Sequence, residues 1–198
     1  QNREKSVLTT PETIELHRIL DGCVKNNCRY LVMEVSSQAL KYDRTLDLNY
    51  EVCGFLNISE DHISDAEHKD MEDYFTSKLR ILDQSRIACI NQDMDPVYLD
   101  RVLEEAGKKC EKTVTFGFGE GADVRGLSVK ELPGKLEMKV QFKNKDDKVY
   151  KDEFTVNIGG TYNASNALMA IAAAVSLDVP VEDIKKGLET VKVPGRME

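Results

Sequence analysis

The chain has 198 residues, of which 27 are lysine or arginine and 35 are aspartate or glutamate, so its formal net charge at pH 7 is −8. An acidic chain lacks the basic surface that neutralises phosphates, which argues against nucleic-acid binding. Hydrophobic residues make up 41% of the chain and charged residues 31%, a composition typical of a folded soluble domain. No apolar run reaches the roughly 18 residues that cross a bilayer, so we expect no membrane span.

The first ten residues, QNREKSVLTT, do not form the charged, apolar and small-residue blocks of a secretory signal. The chain contains five cysteines, an odd number that cannot all pair, and none follows the short paired spacing of a zinc site. We therefore expect a reducing, cytoplasmic location.

The first part of the chain alternates patterns that are typical of helices and strands. Thr10 followed by Pro11 predicts the start of a capped helix. Short apolar runs, of which YLVMEV is the first, predict strands buried in a parallel sheet. The predicted helices cover 11–26, 68–82 and 96–107, and the predicted strands cover 30–35, 52–57, 86–90 and 113–117.

A different pattern begins after Asp123. Three segments alternate apolar and polar residues, which predicts an antiparallel meander over 123–158. An alanine-rich helix over 164–177 and a further helix over 181–191 follow it. The sequence therefore predicts an α/β fold, with an open, mostly parallel sheet, helices on both faces and a small antiparallel appendage.

Polar clusters follow three of the predicted strands. They cover 34–38 (EVSSQ), 57–62 (NISEDH) and 91–93 (NQD). The carboxyl ends of parallel strands share one edge of a sheet, where ligands bind in open α/β folds. We therefore expect the chemistry of this protein at that edge.

Two of these clusters contain candidate ligands for a metal ion. Glu34 would be costly to bury unless it forms a salt bridge with a lysine or coordinates a cation, and its position leaves both interpretations open. His62, next to Asp61, fits either Mg²⁺ or Mn²⁺ beside a phosphate or a solvated acidic loop. Lys78 lies within a helical pattern that by itself predicts a surface lysine with a packed stem. We expect His68 to cap that helix.

Two glycine-containing segments resemble ligand loops to different degrees. Gly117, Gly119 and Gly121 precede a strand rather than a helix, so we interpret them as turns. The segment GGTYN leads into the alanine-rich helix and places Asn163 and Asn166 on its first turn. These two amides could contact a ligand, or Asn163 could simply cap the helix.

Taken in order, these segments resemble the Mur ligases, in particular the MurE type that adds the third residue of the peptidoglycan stem peptide. The matching stretches are TTPET, MEVSSQAL followed by Arg44, FLNISEDH, MEDYFTSK, TFGFGEGADVRG, GTYNASNALMAIAAA and VPGRME. They extend over nearly the whole chain.

The resemblance implies a P-loop-NTPase-like central domain of an ATP-dependent amide ligase. ATP would phosphorylate the γ-carboxylate of UDP-MurNAc-L-Ala-D-Glu, and L-lysine or meso-diaminopimelate would attack the acyl phosphate. Glu34 and His62 would hold Mg²⁺, and a carbamylated Lys78 would help to organise a second Mg²⁺. The substrate would be contacted by Thr9, Thr10, Ser36 and Arg44, and ATP by Asn163, Asn166 and Arg196.

The chain departs from the family pattern at several points. Gln38 stands where the family usually has histidine, and Met94 interrupts the usual NxDD after Asn91, which leaves the roles of these positions open. No GxxxxGK[ST] loop is present in the sequence. We therefore expect residues 1–198 to be a central domain without its opening strand and P-loop, inactive by itself. The N-terminal UDP-binding and C-terminal amino-acid-binding domains would be absent.

Two other functions stay open at this stage. One is another ligase of the same superfamily with a different acyl substrate, which the combination of EVSS and Arg44 disfavours. The other is a module that binds a nucleotide or muramyl ligand without turnover. The sequence does not select between lysine and diaminopimelate. A missing sheet strand would expose apolar surface, so we also expect some self-association.

Overall fold

A computed structural model describes residues 8–59, 63, 67–143 and 148–192. These residues divide into two compact units. The first unit contains the described residues up to Asn49 and those from Ser59 to Gln84. The second contains Tyr50–Ile58 and the described residues from Ser85 onward.

The first unit is helical. Helices α1 (Thr13–Lys25), α2 (Ser37–Lys41) and α3 (Met71–Leu79) are followed by a 3₁₀ helix, Arg80–Gln84. Helix α2 packs against α3 and against the 3₁₀ helix. The buried apolar side chains of this unit are Leu16, Ala39, Leu40, Tyr74, Phe75, Leu79 and Leu82.

The second unit is built on a six-stranded sheet whose strands lie side by side in chain order. Strands β1 (Tyr50–Phe55), β2 (Ser85–Asn91) and β3 (Lys112–Gly117) are parallel. Strands β4 (Val124–Leu132), β5 (Lys135–Lys143) and β6 (Val149–Val156) form the predicted antiparallel meander. The meander continues the parallel sheet, because Phe116 and Gly117 of β3 pair in parallel with β4.

Helices cover both faces of this sheet. Helix α5 (Asn163–Ser176) packs across β1 to β5, and Leu168 and Ile171 join Ile87 and Cys89 in one core cluster. Ala88 and Ile90 alternate with those strand residues and are also buried, so they face the opposite side, where α4 (Pro96–Lys109) contacts β2 and β3. Helix α6 (Val181–Thr190) packs on β6. The predicted α/β fold is confirmed.

Two predictions of secondary structure are wrong in the first unit. Residues 30–35 form no strand, and Tyr30, Leu31 and Val32 are exposed, because no described segment offers them a hydrogen-bonding neighbour. Helix α1 begins at Thr13, with Glu12 rather than Thr10 at the capping position. Within this helix Leu16 is buried, whereas Ile14 and Val24 are exposed.

None of the helices in the described ranges is long and apolar enough to cross a bilayer.

Candidate functional site

Thr10 connects two of the predicted substrate-binding segments within the first unit. Its hydroxyl donates to the backbone carbonyl of Glu34 at 3.0 Å and accepts from the backbone N–H of Ser36 at 2.9 Å. Thr10 is only 1% exposed, so these bonds are formed away from water. The Ser36 hydroxyl in turn accepts from the backbone N–H of Ala39 at 3.2 Å and caps α2. Thr9 is exposed beside this junction.

The Glu34 carboxylate does not lie in the environment that the sequence predicts. It is exposed, on a segment that is not part of the sheet, and no residue in the described ranges forms an ion pair with it. The premise of a buried carboxylate is therefore wrong, and the described residues do not provide the lysine of the salt-bridge interpretation. What the structure provides is an accessible oxygen donor, of the kind that Mg²⁺ prefers, on a backbone fixed by Thr10.

Arg44 lies close to the start of α1. A guanidinium nitrogen lies 3.1 Å from Oε1 of Glu12, and the Thr13 hydroxyl donates to the Arg44 carbonyl at 3.3 Å. The Arg44 side chain is 15% exposed and that of Glu12 is 63% exposed. Arg44 is thus a largely enclosed cation next to the segment that carries Thr10.

Lys78 lies in the last turn of α3. Its Nζ atom is 5.1 Å from the centroid of the buried Tyr74 ring, a cation–π distance, and its side chain is half-buried. The prediction of a lysine with a packed stem is confirmed.

His68 is a polar residue of this unit that sequence reasoning assigned wrongly. Asp70, rather than His68, caps α3 by accepting from the backbone N–H of Asp73 at 2.8 Å. His68 is completely buried, and its Nε2 atom lies 2.9 Å from Oγ of Ser37. A histidine within an acidic stretch gives no sequence signal that would have indicated this position.

A charged pair flanks the His68 ring. The Nδ1 atom lies 3.5 Å from Oδ2 of Asp73, and Lys41 binds the same carboxylate oxygen at 2.6 Å. Burial, and then the positive charge of Lys41, lower the pKa of His68 from its ordinary value. The hydrogen bond from Lys41 lowers the pKa of Asp73.

In the second unit, Asn163 organises the turn that precedes α5. Its side-chain amide donates to the Gly159 carbonyl at 2.7 Å, and its side-chain oxygen accepts from the Asn166 amide at 3.1 Å. The plain capping interpretation is therefore wrong, since Tyr162 occupies the capping position and forms no side-chain cap bond. Asn163 is buried and Asn166 is exposed, so Asn166 presents the accessible amide of this pair.

The strand-end residues Asn91 and Asp93 stabilise turns. The Asn91 amide donates to the Leu56 carbonyl at 2.9 Å, which confirms that the ends of β1 and β2 meet. The Asp93 carboxylate accepts from the backbone N–H groups of Phe118 at 2.6 Å and Gly119 at 3.0 Å. This confirms the glycine segment as a turn, and the neighbouring Met94 is buried.

Two predicted site residues, His62 and Arg196, lie outside the described residues, as does Asp61. Within the ranges that are described, no three histidine, cysteine, aspartate or glutamate residues converge on a common point that could hold a metal ion. Of the two predicted magnesium ligands, the structure therefore describes only Glu34.

Comparisons with known proteins give one consistent result. The model of the Mur ligase middle domain matches residues 1–174. A UDP-N-acetylmuramoyl-L-alanyl-D-glutamate–2,6-diaminopimelate ligase of Clostridium perfringens is 36% identical over 195 residues, which is 98% of this chain and 38% of that protein. A UDP-N-acetylmuramoyl-L-alanyl-D-glutamate–L-lysine ligase of Streptococcus thermophilus is also 36% identical, over 98% of this chain and 37% of that protein. The chain thus spans less than two fifths of these relatives.

Solved structures agree on the fold. The structure of a UDP-N-acetylmuramoyl-L-alanyl-D-glutamate–2,6-diaminopimelate ligase superposes on 96% of this chain with a TM-score of 0.83, at 20% sequence identity. MurF from Acinetobacter baumannii superposes on 74% of this chain and 30% of its own with a TM-score of 0.62, at 27% identity.

Proposed function

The chain belongs to the Mur ligase middle-domain family, and from this we propose that it is the central domain of an ATP-dependent amide ligase of peptidoglycan precursor synthesis. The observation that carries the proposal is the 36% identity, over 98% of this chain, to ligases that act on UDP-N-acetylmuramoyl-L-alanyl-D-glutamate. We place the UDP-binding and amino-acid-binding domains, and the P-loop, in other parts of a longer protein. A cytoplasmic location, where ATP is available, is part of this proposal.

The proposed reaction has two steps. The γ-carboxylate of the D-glutamate takes the terminal phosphoryl group of ATP, which gives an acyl phosphate and ADP. The amine of lysine or diaminopimelate then attacks the acyl carbon, and the tetrahedral intermediate expels phosphate as the amine loses a proton. Both steps concentrate negative charge, so fixed cations and oriented donors are the groups that accelerate them.

For the muramyl substrate, we propose contacts from Thr9, Thr10, Ser36 and Arg44. The hydrogen bonds of Thr10 hold the backbone of residues 34–36 beside the start of α1, which supports the inclusion of Ser36 in this group. The enclosed guanidinium of Arg44 is a suitable partner for an anionic group. For ATP, we propose Asn163, Asn166 and Arg196, supported by the exposed amide of Asn166.

Magnesium is part of the proposal, with Glu34 and His62 as its ligands and a carbamylated Lys78 as the organiser of a second ion. The exposed carboxylate of Glu34 fits a hard cation. Magnesium would neutralise charge on the transferred phosphoryl group. Carbamylation of the half-buried Lys78 would convert a cation into a carboxylate beside Tyr74.

The experiment that tests the function uses the full-length protein that contains this chain. Phosphate release and amide formation are measured with ATP and UDP-MurNAc-L-Ala-D-Glu, with lysine and with diaminopimelate in parallel. We expect release that depends on the amine, and the preferred amine identifies the third residue of the stem peptide. Absence of turnover with both amines would overturn the ligase proposal, and ligand binding without turnover would favour a non-catalytic module. The isolated chain should show no turnover.

Self-association of the isolated chain stays a prediction. Tyr30, Leu31 and Val32 are exposed and contribute apolar surface. Sedimentation over a wide range of concentration tests it, and a single monomeric species throughout would contradict it.

A further inference from the structure

Helix α1 ends in a Schellman motif, a turn in which one residue adopts a left-handed conformation and two backbone hydrogen bonds close the helix. Asn27 is the left-handed residue, with φ of 54°. Its backbone N–H donates to the Val24 carbonyl at 3.0 Å, and the N–H of Cys28 donates to the Cys23 carbonyl at 2.9 Å. In this motif the side chains of the first and last residues frequently contact each other. Here both of these residues are cysteines.

The two thiols of this motif differ in accessibility. Cys28 is exposed, Cys23 is half-buried, and both are free thiols. Burial, and then the neighbouring Cys28, raise the pKa of the Cys23 thiol. Cys28 is therefore the thiol that meets a reagent first, and Cys23 is placed to react second.

The remaining cysteines do not share these properties. Cys53 and Cys89 are buried in the second unit, and burial raises the pKa of their thiols to about 11 and about 12. A protonated, enclosed thiol is a poor nucleophile. Cys110 is half-buried at the end of α4 and provides a natural control.

We propose that Cys23 and Cys28 form a reversible disulfide when the protein meets a small-molecule disulfide such as oxidised glutathione. The Cys28 thiolate attacks one sulfur of oxidised glutathione and releases one glutathione, which leaves a mixed disulfide on Cys28. The Cys23 thiolate then attacks the Cys28 sulfur and releases the second glutathione. Two protein thiols are oxidised, one disulfide is reduced, and both protons end on glutathione.

The site is one of covalent modification, and it lies beside residues that the proposed function uses. The crosslink would close the loop from Cys23 to Cys28 at the end of α1, directly before the segment that leads to Glu34 and Ser36. This inference does not depend on the ligase activity, because its readout is the chemical state of the two sulfurs.

Trypsin provides a direct assay, because it cleaves after Arg18, Lys25 and Arg29. The folded chain is treated with oxidised glutathione, remaining thiols are alkylated in acid-quenched samples, and the digest is analysed by mass spectrometry without reduction. We expect the peptides ILDGCVK and NNCR to appear as one disulfide-linked species that dithiothreitol separates. C23S and C28S should abolish it, and C110S should retain it. Only glutathionylated or unmodified peptides, or pairing of Cys28 with Cys110, would overturn the proposal.

A rate comparison tests whether the fold, rather than sequence proximity, brings the thiols together. The same reaction is followed in native buffer and in urea at one pH, with circular dichroism to confirm folded and unfolded states. Because the motif holds the two residues in place, closure of the disulfide from the mixed species should be roughly tenfold faster in the folded chain. Equal rates in both conditions would overturn the structural basis of the site.

Discussion

The imidazole of His68 lies between Ser37 and Asp73, with Nε2 at 2.9 Å from the serine hydroxyl and Nδ1 at 3.5 Å from the carboxylate. Ser37 begins α2 directly after Ser36, and Asp73 belongs to α3, which also carries Lys78. The ring is fully buried, and of its two nitrogens only Nε2 has a hydrogen-bond partner among the described residues. The His68 side chain therefore connects α2, which follows the proposed substrate-binding residue Ser36, to α3, which carries Lys78.

The buried His68 predicts a stability that falls as the pH falls. Its pKa is lowered in the folded chain from the ordinary value of 6.5, so below about pH 6.5 the unfolded chain binds more protons than the folded one. The contribution of neutral His68 to the free energy of unfolding is complete above that pH and is lost on acidification. For one proton, the free energy of unfolding falls by up to about 1.4 kcal/mol per pH unit. Urea denaturation between pH 5 and pH 8 measures it.

Substitution identifies the responsible group. His68→Gln should flatten the pH dependence, because the amide has no proton to gain. His17→Gln changes an exposed histidine of α1 and should retain the dependence of the unaltered chain. The lowered pKa of Asp73 acts in the same direction only at lower pH, since the ordinary value of that group is 3.8. An unchanged pH profile in the His68 variant would contradict the assignment.

The Thr10 hydroxyl predicts a stability effect at the junction of two segments. Thr10→Val removes the donor to the Glu34 carbonyl and the acceptor for the Ser36 N–H. Because the Glu34 carbonyl and the Ser36 N–H lose this hydrogen-bond partner in a buried position, we expect the free energy of unfolding to fall by about 1–3 kcal/mol. Urea denaturation at neutral pH measures this change.

Two variants serve as controls for Thr10. Thr10→Ser keeps the hydroxyl and should retain most of the stability. Thr13→Val removes an exposed hydroxyl that donates to the Arg44 carbonyl at 3.3 Å, and should cost less than about 1 kcal/mol. Equal losses for Thr10→Val and Thr13→Val would refute the importance of the Thr10 junction.

Two glycines predict stability changes of opposite sign. Gly160 has φ of 88°, and a Cβ there would lie 2.5 Å from the Tyr162 ring, so Gly160→Ala should destabilise the chain by about 1–3 kcal/mol. Gly187 lies inside α6 with no atom within 4 Å of an added Cβ. Gly187→Ala should therefore stabilise by roughly 0.5–1 kcal/mol. Thermal unfolding of both variants tests the pair, and destabilisation by both would contradict it.

Sequence patterns predicted the second unit well because its elements are defined by burial. Strand β2 is buried almost continuously, as expected for a strand covered on both faces, whereas buried residues alternate along β5. Helix α5 buries much of its alanine-rich surface. The first unit was harder to predict. Residues 30–35 have the composition of a strand, but composition does not provide a neighbouring strand.

The resemblance proposes which residues form the candidate site, but it does not predict how they contact one another. The motif resemblance selected Thr10, Ser36 and Arg44, and the structure places all three within the first unit. The sequence could not indicate that the Thr10 hydroxyl donates to the Glu34 carbonyl instead of capping α1, because both roles use the same hydroxyl. Nor could it find His68, whose partner Ser37 is 31 positions away in the sequence.

If the full-length protein is the proposed ligase, substitution of Arg44 should affect substrate binding more than turnover. Arg44→Lys keeps the charge but loses the planar guanidinium, and should raise the KM for the muramyl substrate by roughly tenfold with a smaller change in kcat. The ion-pair partner provides the control, since Glu12→Gln removes the exposed carboxylate at 3.1 Å and leaves the guanidinium in place. Steady-state kinetics should show little change for Glu12→Gln. A larger KM effect from Glu12→Gln would indicate that Arg44 serves only the fold.

Substitution of Lys78 should cause a loss of turnover that short carboxylic acids partly restore. Lys78→Ala removes the amine that we propose is carbamylated, and should lower kcat of the proposed full-length ligase by roughly 10²-fold or more. It also leaves space beside Tyr74, so formate or acetate should restore part of the rate, as carboxylates that occupy the place of the carbamate. Lys69→Ala, which removes an exposed lysine of the same unit, should have full activity and no response to these acids. If Lys78→Ala is inactive but folded by circular dichroism and no short acid restores turnover, the lysine acts as a cation and the carbamate proposal fails.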